Sequence, residues 1–157
     1  MSQQKLIIFD LDGTLVDAGT IIVTHKEKLF NGAKTVLDSL IESGFLLAIA
    51  TGKSLSGTNK LIEDHNFQGY FSSIQTPNNN PSKPNPEMIF QAINMTGIDR
   101  ENTIMIGDTV MDMNMARNAN VRAIGVAWGY HSSKDLMAAG AEIVVNDFDQ
   151  LMVQIGV

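Results

Sequence analysis

Short apolar runs alternate along this chain with segments whose apolar residues recur every three to four positions. The runs "KLIIF" (5–9), "FLLAIA" (45–50), "TIMIG" (103–107) and "RAIGVAW" (122–128) are each bounded by turn-forming residues. Apolar runs of this length without polar alternation predict strands buried on both faces, as in a parallel sheet. "YFSSIQ" (70–75) and "EIVVN" (142–146) predict two weaker strands. Helical spacing of apolar positions predicts helices over 33–43, 55–65, 86–95, 109–118, 134–139 and 148–155. Such alternation implies an α/β fold with helices on both faces of the sheet. In "NNNPSKPNPE" (78–87) three prolines exclude regular structure until Pro86 and Glu87 open the next helix, which predicts a stiff loop.

Composition narrows the class. A chain of 157 residues is the size of one domain, so residues 1–157 are expected to form a single unit. With 44% hydrophobic and 18% charged residues it is globular, and no apolar run reaches the roughly 18 residues a membrane span needs. The start "MSQQK" lacks the apolar core of a signal peptide, and the chain contains no cysteine, which excludes disulfides and thiolate metal sites. The expected compartment is the cytoplasm, with no membrane partner. A net charge of −6 without a Lys/Arg cluster argues against nucleic acid as a partner.

Ligands of parallel α/β sheets bind beyond the carboxyl ends of the strands. Collecting the residues there brings together Asp10 and Asp12 after the first run, Thr51-Gly52-Lys53 after the second, and Asp108 with Asp112 after "TIMIG". Lys83 in the proline loop joins them. Residues two apart on an extended chain point the same way, so Asp10 and Asp12 project together unless the chain turns sharply. Carboxylates about 4 Å apart repel by roughly 4 kcal/mol at an effective dielectric near 20. A hard divalent cation offsets that repulsion, and magnesium typically takes one or two carboxylates, waters and a substrate phosphate. Asp108 is the obvious further ligand. Asp112 follows at i+4 and shares its face if the helix begins at Asp108. An aspartate can attack phosphorus, a second can act as acid and then base, a threonine hydroxyl can bind phosphoryl oxygens, and a lysine can balance developing charge.

Singly, each element reads more simply: an isolated "DxD" as a solvated turn, "TGK" as a helix start, Lys83 as an exposed loop residue. Asp17 reads as a solvated turn or local hydrogen-bonding residue, and Lys53 as a helix-start or rim residue. It is the joint occurrence, in this order, that points to phosphate chemistry.

"DLDGTLVD", "TGKS", "KPNP" and "GDTVMD" resemble the four successive motifs of the haloacid dehalogenase-like phosphohydrolases, and "MNMARNANVRAIGVAWGYHS" is similar to the branch containing phosphoglycolate phosphatases. The resemblance implies a three-layer α/β/α fold around a parallel sheet. It also implies Asp10 as nucleophile, Asp12 as general acid/base, Thr51 and Gly52 as phosphate-binding, and Lys83 as charge partner. Mg2+ would be held by Asp10, the backbone carbonyl of Asp12, Asp108 and Asp112. Aspartate at position 12 favours a phosphatase over a dehalogenase. The implied substrate is a small phosphorylated metabolite.

One departure stands out. Relatives acting on small phosphates commonly carry a cap domain between the first two motifs, yet only 38 residues separate Asp12 from Thr51. Residues 13–32 suffice for a flap, so a capless enzyme is expected. Capless relatives either take large substrates, such as a phosphoprotein, or assemble as homo-oligomers in which a neighbour serves as lid. A nucleotide phosphatase is a further alternative. Outside this class, a receiver-like phosphoacceptor domain uses similar groups but would stop at one phosphoryl transfer, and a catalytically quiet scaffold is the weakest option.

The remaining conspicuous residues read structurally. Met105, Met111, Met113 and Met115 suit core packing. Trp128, Tyr130 and His131 follow the fourth run and either contact the leaving group or pack. His25 and His65 lack ligand spacing. Gly32, Gly97 and Gly140 are expected to end or turn elements.

Overall fold

A computed structural model describes residues 3–21 and 26–157. Its elements are β1 (Leu6–Phe9), β2 (Val16–Ile21), β3 (Glu27–Leu29), α1 (Ala33–Glu42), β4 (Leu46–Ala50), α2 (Leu55–Asp64), β5 (Ser73–Gln75), α3 (Glu87–Thr96), β6 (Thr103–Gly107), α4 (Val110–Ala119), β7 (Arg122–Val126), α5 (Ser133–Ala138), β8 (Ile143–Val145) and α6 (Phe148–Ile155). Six strands form one parallel sheet in the order β5-β4-β1-β6-β7-β8, and β2 and β3 form a separate antiparallel hairpin.

β1 lies inside the sheet, with Leu6–Phe9 paired to Leu46–Ile49 on one side and to Thr103–Ile106 on the other. All four of its side chains are fully buried, and they divide by strand alternation. Ile7 and Phe9 join a core with residues of α1, α2 and α6, whereas Leu6 and Ile8 join one with α3, α4 and α5. The three-layer architecture follows directly. On α1, Ala33, Val36, Leu37 and Leu40 are buried at i, i+3, i+4 and i+7, the spacing that turns one helical stripe to the sheet. Fully burying each large side chain contributes about 1.5–3 kcal/mol.

Several expected boundaries move for local reasons. The strand expected at 70–75 starts only at Ser73, because Phe67, Tyr70 and Phe71 pack against one another in the preceding turn, where Gly69 has φ 82°. The run at 122–128 leaves the sheet after Val126, and Ala127–Tyr130 folds back toward the strand ends. The helix expected from 109 is capped by Thr109 and begins at Val110, so Asp108 stands before it rather than on its first turn. Met105, Met113 and Met115 are core residues, but Met111 is exposed. Asp17 sits in β2, opposite Lys28 in the hairpin register, rather than in a turn. Gly97 and Gly140 do end helices, whereas Gly32 precedes α1 as its cap residue. His25 and part of the 13–32 flap lie outside the described residues. Among the described residues, no helix is long and apolar enough to cross a membrane.

Candidate active site

The carboxyl ends of β1, β4 and β6 open into one cleft of about 350 Å³. It is lined by Asp10, Asp12, Thr51, Gly52, Lys53, Lys83, Thr109 and Tyr130. Larger concavities of about 550 and 520 Å³ lie elsewhere on the surface, but neither gathers a comparable set of chemically capable side chains.

Asp10 follows β1 and remains tied to the sheet through its N–H, which donates to Ile106 O at 3.0 Å. The chain then turns tightly: the Leu11 carbonyl accepts from the N–H groups of Thr14, Leu15 and Val16. Gly13 makes this turn with φ 85°, a conformation costly for other residues. The turn separates the two aspartates. Asp10 is 6% exposed and converges with Asp108 and Asp112, their ligand oxygens all within 4.8 Å of one another. The Asp12 side chain stays outside that cluster and faces Lys53, with Oδ1 3.2 Å from Nζ. The two side chains would project together only without a sharp turn, and this turn is the exception that parts them.

Asp108 and Asp112 are held by different devices. Asp108 accepts from Thr14 Oγ1 at 3.1 Å and from the Tyr130 N–H at 2.9 Å. Asp112 Oδ2 accepts from Thr109 N–H and Oγ1 at 3.1 and 2.9 Å, and the Thr109 hydroxyl in turn caps the Asp112 N–H. This capping box leaves Asp112 Oδ1 for Lys83. Lys83 Nζ donates to Asp112 at 2.6 Å and to Asp10 at 3.0 Å. Thr51 is buried, and its Oγ1 accepts from Lys53 N–H at 3.0 Å, leaving the hydroxyl proton to be donated.

Burial pushes the Asp10 carboxyl well above the usual carboxylate range, with neighbouring Asp112 adding to the shift and Lys83 opposing it. Burial also raises Asp12, against the opposing pull of Lys53. For Lys83 burial acts downward, yet Asp10 and Asp112 outweigh it and hold the ammonium charged far above the usual lysine value. Of the three clustered carboxylates, two are thus paired with one ammonium. All donors are hard oxygens, the set that suits Mg2+.

Sequence reasoning missed two features. Lys53 stands at the start of α2, as expected, but not on the rim: its side chain is 13% exposed and is also paired with Glu27 of β3 at 2.7 Å. Gly129 and Gly107 make room, since a Cβ at either would lie within 2.5 Å of the Asp108 or Asp112 side chain. His131 accepts the Val110 N–H through Nδ1, and Trp128 donates to Thr14 O, so for both the structural one of the two expected readings holds. Of the three residues 128, 130 and 131, Tyr130 alone lines the cleft, and it is 64% exposed.

Comparison with known proteins decides the lineage. A model of "Haloacid dehalogenase-like hydrolase" matches residues 22–126. The chain belongs to the haloacid dehalogenase-like hydrolases. Among its relatives, "Probable phosphatase IndB" of Dickeya dadantii is 35% identical over 126 residues, covering 79% of this chain and 54% of the relative. A "Phosphoglycolate phosphatase" of Agrobacterium fabrum is 32% identical over 123 residues, covering 78% and 52%. The chain thus spans about half the length of these curated relatives. In fold, this chain matches a crystal structure described as a "predicted phosphatase" from Clostridium acetobutylicum with a TM-score of 0.86 at 23% identity, covering 98% of this chain and 99% of that one.

Proposed function

We propose that the protein is a magnesium-dependent phosphatase that hydrolyses phosphomonoesters through an aspartyl-phosphate on Asp10. The observation that carries this is the convergence of Asp10, Asp108 and Asp112 at the end of β1, with the Lys83 ammonium paired to Asp10 and Asp112. Asp10, Asp108, Asp112 and the Asp12 carbonyl would hold a Mg2+ ion, which would supply positive charge to the nucleophile and the phosphoryl oxygens.

Asp10 attacks phosphorus as the bond to the ester oxygen breaks, and Asp12 gives its proton to the departing alkoxide. Its raised proton affinity suits that role. Thr51 Oγ1–H and the Gly52 N–H donate to the phosphoryl oxygens, and Lys83 balances charge in the transition state. Water then attacks the aspartyl-phosphate, Asp12 takes the water's proton, and inorganic phosphate leaves with the Asp10 carboxylate restored.

The substrate class is a small phosphorylated metabolite, in keeping with the phosphatases among the relatives. The site is read as capless, with the β2–β3 hairpin as its flap and a second copy of the chain as the covering lid. The separate environment of Asp12 favours turnover over a receiver-like single transfer. Hydrolysis of p-nitrophenyl phosphate with Mg2+ tests the proposal: many turnovers by the wild type and none by Asp10→Asn are expected. Wild-type rates in Asp10→Asn would refute it. Light scattering tests the lid, which a fully active monomer would exclude.

A further inference from the structure

Lys53 links the cleft to the flap. Its Nζ lies 2.7 and 3.0 Å from the two carboxylate oxygens of Glu27, at the start of β3, and 3.2 Å from Asp12 Oδ1. That Asp12 oxygen is buried and accepts no hydrogen bond among the described residues, so the Lys53 charge is its closest compensation. Glu27 is held a second time, where its carbonyl accepts from His65 Nε2 at 2.6 Å. Lys53 precedes α2 and His65 caps its far end, so both ends of one core helix grip the same flap residue. The lysine stem is confined too, since a Cβ at Gly57 would meet its Cγ at 3.1 Å.

The flap also grows out of the Asp12 turn. Gly13 N–H donates to Val16 O at 2.8 Å, Phe30 N–H donates to Leu15 O at 2.9 Å, and Asp12 bridges to Val16. Docking the hairpin and aiming the Asp12 carboxyl are therefore mechanically joined at both ends of the hairpin.

We infer that Glu27 and Lys53 form a latch that positions Asp12 for proton delivery to the leaving group, so that the leaving oxygen is protonated efficiently only when the flap is docked. Neither residue touches the reacting atoms in this role; both are positioning residues. The inference rests on the phosphatase assignment. It gives the flap a task, because a latch that draws β3 onto α2 sets the Asp12 side of the cleft without a cap domain.

Leaving-group dependence tests it. A p-nitrophenolate departs readily without a proton, whereas an alkoxide needs one, so a fault in Asp12 placement falls on alkyl esters. Glu27→Gln and Lys53→Met are expected to lower kcat on an alkyl phosphate by about 10- to 100-fold while changing kcat on p-nitrophenyl phosphate by less than about threefold, general acid catalysis being worth roughly 10²–10⁴. The double variant should be no worse than either single one, as for residues acting as a unit. In an Asp12→Asn background, Glu27→Gln should have no further effect. Amide exchange at residues 27–29 should rise in both single variants independently of any assay of activity.

Equal losses on the two esters, additive losses in the double variant, or unchanged exchange at 27–29 would overturn the latch while leaving the phosphatase assignment standing. A wild type that turns over neither ester would overturn the assignment and the latch's link to Asp12 with it.

Discussion

Nζ of Lys83 lies 2.6 Å from Oδ1 of Asp112, a side chain with no solvent exposure. The same ammonium serves Asp10, so two buried carboxylates depend on one cation. Breaking a buried pair by removing one partner typically costs about 3–5 kcal/mol, because the remaining charge is stranded. Lys83→Met is therefore expected to lose stability in this range in chelator, as read by urea unfolding. Added Mg2+ should restore part of the loss by supplying positive charge. Its kcat should fall by about 10²–10³, the usual cost of removing a group that stabilises transition-state charge.

Asp10 presents the opposite case. Its folded-state proton affinity is raised, so the native protein binds a proton there more readily than the unfolded chain does. Stability from this group is then present at low pH and is lost as pH rises from the unfolded aspartate value through the raised folded one. Metal-free Asp10→Asn should thus match or exceed the wild type in Tm at neutral pH, and that advantage should vanish as the pH approaches 4. Inactivity combined with unimpaired stability is the expected signature, checked by thermal unfolding across pH in chelator.

The strands and helices that position the cleft were legible because their apolar runs are long and uninterrupted. The β2–β3 hairpin was not, since "VDAGTI" and "EKL" carry polar and small residues in a ribbon outside the main sheet. Asp10, Asp12, Thr51, Lys83, Asp108 and Asp112 could be placed together because each follows a strand, lies in the first turn of the helix behind one, or sits in the proline loop. The partition among them could not, because it depends on one turn. Gly13 sends the Asp12 side chain away from the carboxylate cluster and toward Lys53, a three-dimensional event with no periodic trace. Lys53 was misread for the same reason: its partner, Glu27, comes from the hairpin that left no periodic signal.

Metal binding should be visible in stability before any substrate is found. A ligand at 100 times its dissociation constant adds about 2.7 kcal/mol. For a chain of this size that corresponds to a rise in Tm of roughly 5–10 °C. The wild type should show this rise with Mg2+ and lose it with chelator. Asp108→Asn, which removes a charge from the cluster while keeping its shape, should show little of it.

Glycine substitutions separate the room the site needs from the room it merely has. A Cβ at Gly52 would meet nothing within 4 Å, so Gly52→Ala should change stability by less than about 0.5 kcal/mol. A Cβ at Gly129 would lie 2.3 Å from the Asp108 Cβ, 2.4 Å from its Oδ2 and 2.5 Å from the Gly13 carbonyl oxygen. Forcing a methyl group into packed surroundings costs about 1–3 kcal/mol. At Gly13 the new Cβ would stand 2.0 Å from Asp108 Oδ2, and the positive φ adds about 1–2 kcal/mol of backbone strain. Stability should therefore fall in the order Gly52→Ala, Gly129→Ala, Gly13→Ala. The displaced group in the last two is Asp108, a carboxylate of the cluster proposed to hold Mg2+, rather than an inert wall. Both variants should consequently lose the Mg2+-dependent rise in Tm by more than their overall destabilisation explains, whereas Gly52→Ala should keep it in full.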